Sequence, residues 1–163
     1  MRFAIVRALF NDEITKRLLS GAQRAFDDAR VAKRDVEVVE VPGSFELPVT
    51  ALWLAESGRY DAIVCLGCVI RGQTAHFEYV AGEAARGIAQ VALQTGVPVI
   101  FGVLTTENVE QAQARSVEAA RGQAHHTGAH DGGNKGYEAA QSALHMASLR
   151  CSRANLFARG KRR

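Results

Sequence analysis

Apolar residues along this chain form short runs that alternate with longer stretches of helical period. Four segments have the composition of strands: Phe3–Ala8, Val36–Val41, Ala62–Ile70 and Val99–Leu104. The third is apolar throughout, which is typical of a central parallel strand covered on both faces. We expect the fourth to be a buried strand as well.

The stretches between the strands place apolar residues three or four positions apart, which predicts amphipathic helices. In the first helix this pattern runs from Ile14 to Phe26. Asn11 is the predicted N-cap, and the acidic Asp12 and Glu13 after it favour the positive end of the helix dipole.

Four further helices are predicted, and each has a recognisable start or end. Pro48 is tolerated in the first turn of the second helix, and Gly96 ends the third, whose apolar stripe runs from Phe77 to Val91. The approximate bounds are Ser44–Ser57, Ala75–Thr95, Glu107–Arg121 and Lys135–Leu149.

The resulting order, βαβαβαβαα, calls for right-handed crossovers between parallel strands. It predicts a flavodoxin-like three-layer α/β/α sandwich with a central parallel four-stranded sheet. Residues 1–149 are expected to form a single domain, followed by a basic tail at 150–163. Such sheets bind ligands at the carboxyl ends of their strands, in the loops Leu9–Asn11, Pro42–Glu46, Arg71–His76 and Thr105–Asn108.

Composition supports a single ordered, soluble domain. The chain has 163 residues, of which 47% are apolar and 23% charged, close to globular averages. No apolar run approaches the roughly 18 residues of a membrane span. The first strand begins at Phe3, which leaves no room for a secretory signal. We therefore expect a cytoplasmic protein without a membrane partner.

Charge is concentrated at the carboxyl terminus. The last fourteen residues hold six of the twenty cations and no acid, and without those six the formal charge changes from +3 to −3. A basic groove for nucleic acid is therefore not expected. The tail is either a solvated terminus or a weak contact for anionic surfaces.

Two residue clusters resemble redox or metal sites. Cys65 and Cys68 lie three apart in a strand pattern, which sends them to opposite faces; small buried hydrophobes in a reducing compartment are the interpretation that we favour over a redox pair. The insertion Gly122–Gly133 holds three histidines and an aspartate, His125, His126, His130 and Asp131. It is either a surface insertion, as we favour, or a weakly specified metal site.

The strand-end loops lack the Gly-rich phosphate motifs and the Gly-x-Ser-x-Gly of serine hydrolases. They offer instead the aromatic Phe10, the carboxylate Glu46 and the run Gly72–His76, where a helix begins. An anion favours such a helix start with Thr74 beside it, and His76 is suited to move protons. Each residue alone is also explained as core or helix-start chemistry.

Six collinear motifs make this chain similar to the 6,7-dimethyl-8-ribityllumazine synthase family, over nearly its whole length. The motifs are Phe10-Asn11, Pro42–Pro48, Gly67–Val80, Pro98–Thr106, Glu110–Ala112 with Arg115, and Asn134–Ala140.

The resemblance implies the penultimate step of riboflavin biosynthesis. In this reaction 5-amino-6-(D-ribitylamino)uracil condenses with 3,4-dihydroxy-2-butanone 4-phosphate to give 6,7-dimethyl-8-ribityllumazine, phosphate and water. The implied enzyme is a transferase that needs no metal and no organic cofactor. Holding two substrates together and relaying protons supply most of the catalysis that this chemistry needs.

The resemblance also implies roles for individual residues. Phe10 stacks on the pyrimidine ring, and His76 transfers protons. The other substrate contacts from the same subunit are Ser44, Phe45 and Glu46 to the ribityl chain, Val69 and Ile70 beside the heterocycle, and Gln73 and Thr74 to the phosphate. A neighbouring subunit supplies Phe101, Arg115 and Lys135, the arginine binding the phosphate.

Members of the family form pentamers, and some close into shells of sixty subunits. This chain begins almost at its first strand and has roughly twelve extra residues between Arg115 and Asn134, so we expect a pentamer without the shell. The alternatives are a flavin-binding carrier of flavodoxin type, which needs a phosphate cradle that Arg7–Asn11 lacks, and an inactive scaffold of the same fold.

Overall fold

The computed structural model of the chain describes residues 1–117 and 133–160, with side chains up to residue 152. Within these ranges the strands are β1 Phe3–Ala8, β2 Val36–Val41, β3 Ala62–Ile70 and β4 Val99–Thr106. The α-helices are α1 Asp12–Asp28, α2 Leu47–Glu56, α3 His76–Thr95, α4 Val109–Ala114 and α5 Lys135–Gly160.

The four strands form one parallel sheet in the order β2-β1-β3-β4. One face packs against α1 and α5 through a core that contains Phe3, Ile5 and Leu66. The other packs against α2 and α3 around Val6 and Ile63. The predicted flavodoxin-like three-layer sandwich is therefore confirmed. In the described ranges, every helix is too short or too polar to span a bilayer.

Cys65 and Cys68 lie on opposite faces of β3, as predicted. Cys65 belongs to the core beneath α2 and α3, and Cys68 to the core beneath α1 and α5. Both are free thiols. Burial raises the pKa of Cys65 to about 12 and that of Cys68 to about 11. They behave as small buried hydrophobes, not as a reactive pair.

The prediction of a buried fourth strand is confirmed only in part, since five of the eight residues of β4 are buried. β4 lies at an edge of the sheet and continues to Thr106, two residues beyond the predicted end. Its Phe101 remains 42% exposed. An edge strand has a neighbouring strand on one side only, so its apolar side chains are less completely covered than those of a central strand.

The second helix begins three residues later than predicted. Ser44–Glu46 form a 3-10 turn in which the Leu47 N–H donates to the Ser44 carbonyl, and α2 starts at Leu47. Pro48 explains the difference because it has no N–H to donate to Ser44, which an α-helix from Ser44 would require.

The last two helices also differ from their predicted bounds. α4 covers only Val109–Ala114, because Asn108 Oδ1 caps its start and Ser116 leaves the helix to pair with Asn134. α5 continues past Leu149 to Gly160, since no glycine or proline interrupts residues 137–159. The predicted tail is thus helical over 150–160. Residues 122–132 of the predicted insertion, with its histidines and Asp131, lie outside the described residues.

Candidate active site

A cavity of about 680 Å³ opens at the carboxyl ends of β1, β2 and β3, and we call it the first cavity. It brings together eight of the predicted site residues: Phe10, Ser44, Phe45, Glu46, Val69, Ile70, Thr74 and His76. Three chain segments that are distant in sequence thus meet where a doubly wound sheet binds its ligands.

The turn that carries Phe10 is tied to both neighbouring strands. The Leu9 N–H donates to the Val41 carbonyl at 2.8 Å, and the Phe10 N–H donates to the Pro42 carbonyl at 3.0 Å. Asn11 has φ 57° and donates from Nδ2 to the Cys68 carbonyl at 2.9 Å. The Phe10 ring itself is 70% exposed, so the backbone and not packing sets its position.

The prediction that Asn11 is the N-cap of α1 is confirmed only in part. Asn11 occupies the N-cap position of α1, and its carbonyl accepts from the N–H groups of Ile14 and Thr15. Its side chain makes no cap hydrogen bond, because it reaches across to β3 instead. Asparagine tolerates the left-handed conformation better than most residues, which suits it to this turn.

The turn Ser44–Glu46 lies against β3 at a glycine. Ser44 is buried, and a Cβ added at Gly67 would lie 2.5 Å from Ser44 Oγ. A side chain at Gly67 would therefore force the Ser44 side chain to shift. Phe45 is exposed, and both Phe45 and Glu46 line the first cavity.

The loop between β3 and α3 is held by Arg71. Its N–H donates to the Thr106 carbonyl at 2.9 Å, and its guanidinium pairs with Glu107 at 2.7 Å and Glu78 at 3.2 Å. The same group lies 4.4 Å from the Phe77 ring centroid. Its hydrogen bonds to Glu107 and Glu78 raise the pKa of Arg71. This exposed network joins the loop before α3 to the loop after β4.

Thr74 and His76 line the first cavity from the start of α3, whereas Gln73 is exposed and is not among the lining residues. The sequence interpretation missed Phe77, Tyr79 and Val80. Phe77 and Val80 were assigned to the buried stripe of α3, where both are only partly buried. Tyr79 follows His76 by three positions, a helical spacing that places both on one side.

The other three predicted residues lie in a second cavity, of about 380 Å³, along β4 and the start of α5. Phe101, Arg115 and Lys135 line it, together with Thr105 and Glu138. No lining residue is shared with the first cavity. The chain thus divides the predicted site residues into two separate groups.

Arg115 and Lys135 are neighbours despite the nineteen residues between them. The Lys135 N–H donates to the Arg115 carbonyl at 2.9 Å, and Ser116 pairs with Asn134 in an antiparallel bridge. The Arg115 guanidinium donates to the Gln111 carbonyl at 3.1 Å. The bridge thus holds together the two chain segments that carry these cations, on either side of residues that the structure does not describe.

Asn134 holds this bridge from inside the protein. Its Nδ2 donates to the carbonyls of Arg17 at 2.8 Å and Ser116 at 3.3 Å. Its Oδ1 accepts from the N–H groups of Gly136 and Tyr137, which caps the start of α5. One buried amide therefore connects α1, the bridge and α5.

Glu138 was not predicted as a site residue, and it changes the electrostatics of the second cavity. Lys135 Nζ lies 2.9 Å from both carboxylate oxygens of Glu138. The spacing of three residues within a helix was the available signal. The lysine charge is therefore balanced by Glu138 within the chain.

In the part of the chain that the structure describes, no group of three or more histidine, cysteine, aspartate or glutamate side chains is arranged to hold a metal ion. The predicted alternative of a metal site at His125, His126, His130 and Asp131 falls outside that part.

Two sequence comparisons identify relatives of this chain. The profile of the 6,7-dimethyl-8-ribityllumazine synthase family matches residues 1–150. A 6,7-dimethyl-8-ribityllumazine synthase from Desulfatibacillum aliphaticivorans is 48% identical over 148 residues, which cover 91% of this chain and 88% of that relative. Neither match favours a flavin-binding carrier or an inactive scaffold. The chain belongs to the 6,7-dimethyl-8-ribityllumazine synthase family.

Proposed function

We propose that this chain condenses 5-amino-6-(D-ribitylamino)uracil with 3,4-dihydroxy-2-butanone 4-phosphate, giving 6,7-dimethyl-8-ribityllumazine, phosphate and water. Family membership over residues 1–150 supports the reaction. The observation in this chain that supports the proposal is the first cavity. There an aromatic ring, a carboxylate and an imidazole lie together at the carboxyl ends of the strands.

In the proposed site, Phe10 stacks on the pyrimidine and Glu46 accepts hydrogen bonds from the ribityl hydroxyls, with Ser44 and Phe45 beside it. Val69 and Ile70 flank the heterocycle. Thr74 lies at the start of α3, where free N–H groups favour the phosphate. His76 relays the protons of imine formation and ring closure. Gln73, which does not line the cavity, is the least supported of the proposed contacts.

We further propose that Phe101, Arg115 and Lys135 complete the first cavity of a neighbouring copy. Two observations support this arrangement: the two cavities share no residue, and each exposes an aromatic side chain, Phe10 or Phe101. Contact between two different surfaces of identical chains is heterologous, and such contacts form a closed ring when the rotation between successive copies closes. The family resemblance supports a ring of five copies.

We propose a free pentamer in preference to a closed shell of sixty copies, because the sequence has roughly twelve extra residues between Arg115 and Asn134, where the family resemblance implies contacts between pentamers. Small-molecule substrates and copies of the chain itself are the proposed partners, and nucleic acid and membranes are not. A cytoplasmic location is proposed from the two buried free thiols, which suit a reducing compartment.

The direct test combines the two substrates with purified protein and follows the absorbance of the lumazine. Light scattering on the same sample is expected to give five copies of the 17.6 kDa chain, about 88 kDa. His76→Ala should lower kcat by about 100-fold, the usual contribution of a general acid or base, with an unchanged melting temperature because His76 is exposed. An unchanged kcat would remove the proton relay, and a mass near 1 MDa would contradict the free pentamer.

A further inference from the structure

Arg7 is the largest of the fully buried side chains in the described part of the chain, and the proposed reaction does not use it. It lies near the carboxyl end of β1 and is 2% exposed. Burial of a guanidinium is unfavourable unless hydrogen bonds and opposite charges compensate for lost water. The contacts of the Arg7 guanidinium therefore indicate the role of its charge.

The guanidinium connects three elements. Nη1 donates to Asp12 Oδ1 at 2.9 Å and to Thr15 Oγ1 at 3.3 Å, both in the first turn of α1. Nη2 donates to Glu40 Oε1 at 2.8 Å, near the end of β2. One side chain of β1 thus joins the start of α1 to the end of β2.

These contacts enclose the two turns of the first cavity. Phe10 lies within the short segment between Arg7 and Asp12, so their ion pair closes the turn that presents the ring. Glu40 precedes Pro42 by two residues, and the turn Ser44–Glu46 follows. The ion pairs therefore fix the chain segments that flank both turns.

Stability alone does not account for a charge at this position. Arg7 Nε is the only buried side-chain nitrogen or oxygen among the described residues that has no hydrogen-bond partner. Such an unmade hydrogen bond is unfavourable, and apolar residues often replace buried ion pairs without loss of stability. An unbranched apolar side chain would fill most of the same space.

We propose that Arg7 is a positioning residue, which holds the Phe10 turn and the Ser44–Glu46 turn at a fixed separation for the ribitylaminouracil. The inference rests on the proposed function, because these turns carry the contacts to the pyrimidine and to the ribityl chain. Loss of Arg7 should therefore weaken binding of the ribitylaminouracil and leave binding of the phosphorylated butanone unchanged.

The test compares Arg7→Met with the wild type and with Arg17→Met, an exposed arginine of α1. For Arg7→Met we expect a folded protein with an unfolding midpoint close to that of the wild type, because the carboxylates left behind, Asp12 and Glu40, are about half exposed. The KM for the ribitylaminouracil, and its Kd measured by calorimetry without the second substrate, should rise about tenfold. The KM for the phosphorylated butanone should stay within about twofold, and Arg17→Met should match the wild type.

Equal rises in both KM values, or no rise in either, would overturn the inference. If Arg7→Met fails to fold, Glu40→Ala decides, since Glu40 is half exposed and its loss frees the end of β2. That variant should also raise the KM for the ribitylaminouracil alone, and unchanged values would refute the role of Arg7. An inactive wild type would instead refute the proposed function itself.

Discussion

Glu46 is the residue to which the proposed site assigns the hydrogen bonds from the ribityl hydroxyls. It ends the 3-10 turn beside the first cavity, and an added Cβ at Gly43 would lie 3.2 Å from Glu46 Oε2. A carboxylate accepts several hydroxyl hydrogen bonds and is stronger in this role than a neutral amide. The proposed site therefore gives Glu46 a specific, testable contribution.

Glu46→Gln is expected to raise the KM for the ribitylaminouracil about tenfold, the loss of one charge-assisted hydrogen bond, and to leave the KM for the phosphorylated butanone unchanged. Steady-state kinetics with each substrate varied in turn measures both values. Glu56→Gln, at the exposed end of α2, is the matched control and should resemble the wild type. An unchanged KM in Glu46→Gln would contradict the assigned contact.

At the scale of elements, the start of α5 is the point where the second cavity depends on one buried side chain. Asn134 makes four hydrogen bonds that join α1, the Ser116 bridge and α5. It packs directly against Gly21, where an added Cβ would clash with Asn134 Oδ1. Loss of this amide should therefore affect both stability and the second cavity.

Asn134→Ala is expected to lower the free energy of unfolding by roughly 3 kcal/mol, because it removes a helix cap and leaves buried carbonyls unpaired. Chemical denaturation measures this loss. The KM for the phosphorylated butanone should rise as well, since Arg115 and Lys135 flank the bridge. Asn108→Ala, which uncaps the short α4, serves as the comparison and should cost less. Equal losses in the two variants would argue against this special role.

The elements with strong local signals were predicted correctly. The apolar run of β3 and the Gly96 stop after α3, which has φ 66°, are examples. Two of the errors arose where a distant contact or the place of a strand in the sheet decides the outcome. Pairing of Ser116 with Asn134 ends α4, and the edge position of β4 exposes Phe101. Neither effect is visible in a local pattern.

Within the site, the resemblance placed eight residues that line the first cavity, and three that line the second. Tyr79 and Glu138 were missed although each lies three residues after a predicted site residue, a spacing that places neighbours on one side of a helix. The buried network of Arg7 was missed as well. Its partners are 5, 8 and 33 residues away, so only the fold brings them together.

For the whole molecule, burial of the two cysteines makes the stability of the folded protein fall at alkaline pH. The ordinary pKa of these thiols is 9.0, and burial raises the pKa to about 12 for Cys65 and about 11 for Cys68. Between pH 9 and the raised pKa of each thiol, the unfolded chain loses protons that the folded chain retains. The contribution of the protonated thiols to the free energy of unfolding is therefore complete below pH 9 and is lost as the pH rises above it.

Between pH 8 and pH 10 the free energy of unfolding should fall by about 1 kcal/mol for each buried thiol. Denaturation curves at both pH values measure the fall. The double variant Cys65→Ala, Cys68→Ala should show a smaller fall, whereas Cys151→Ala, which alters an exposed thiol, should show the wild-type one. The same fall in all three proteins would contradict this account.

The division of the site into two cavities is the central claim at the scale of the assembly. The first cavity carries His76 and the second carries Arg115, and the two have no lining residue in common. If each active site joins the first cavity of one copy to the second cavity of another, a defect in one cavity leaves the other half usable.

The most direct measurement mixes two defective variants, His76→Ala and Arg115→Ala, by co-refolding them in equal amounts and assaying lumazine formation at low phosphorylated butanone. Random assembly should pair an intact first cavity with an intact second cavity at roughly a quarter of the sites, so about a quarter of wild-type activity should return. If the mixed oligomers form and show no more activity than the average of the separate variants, each chain holds its own complete site and the account is wrong.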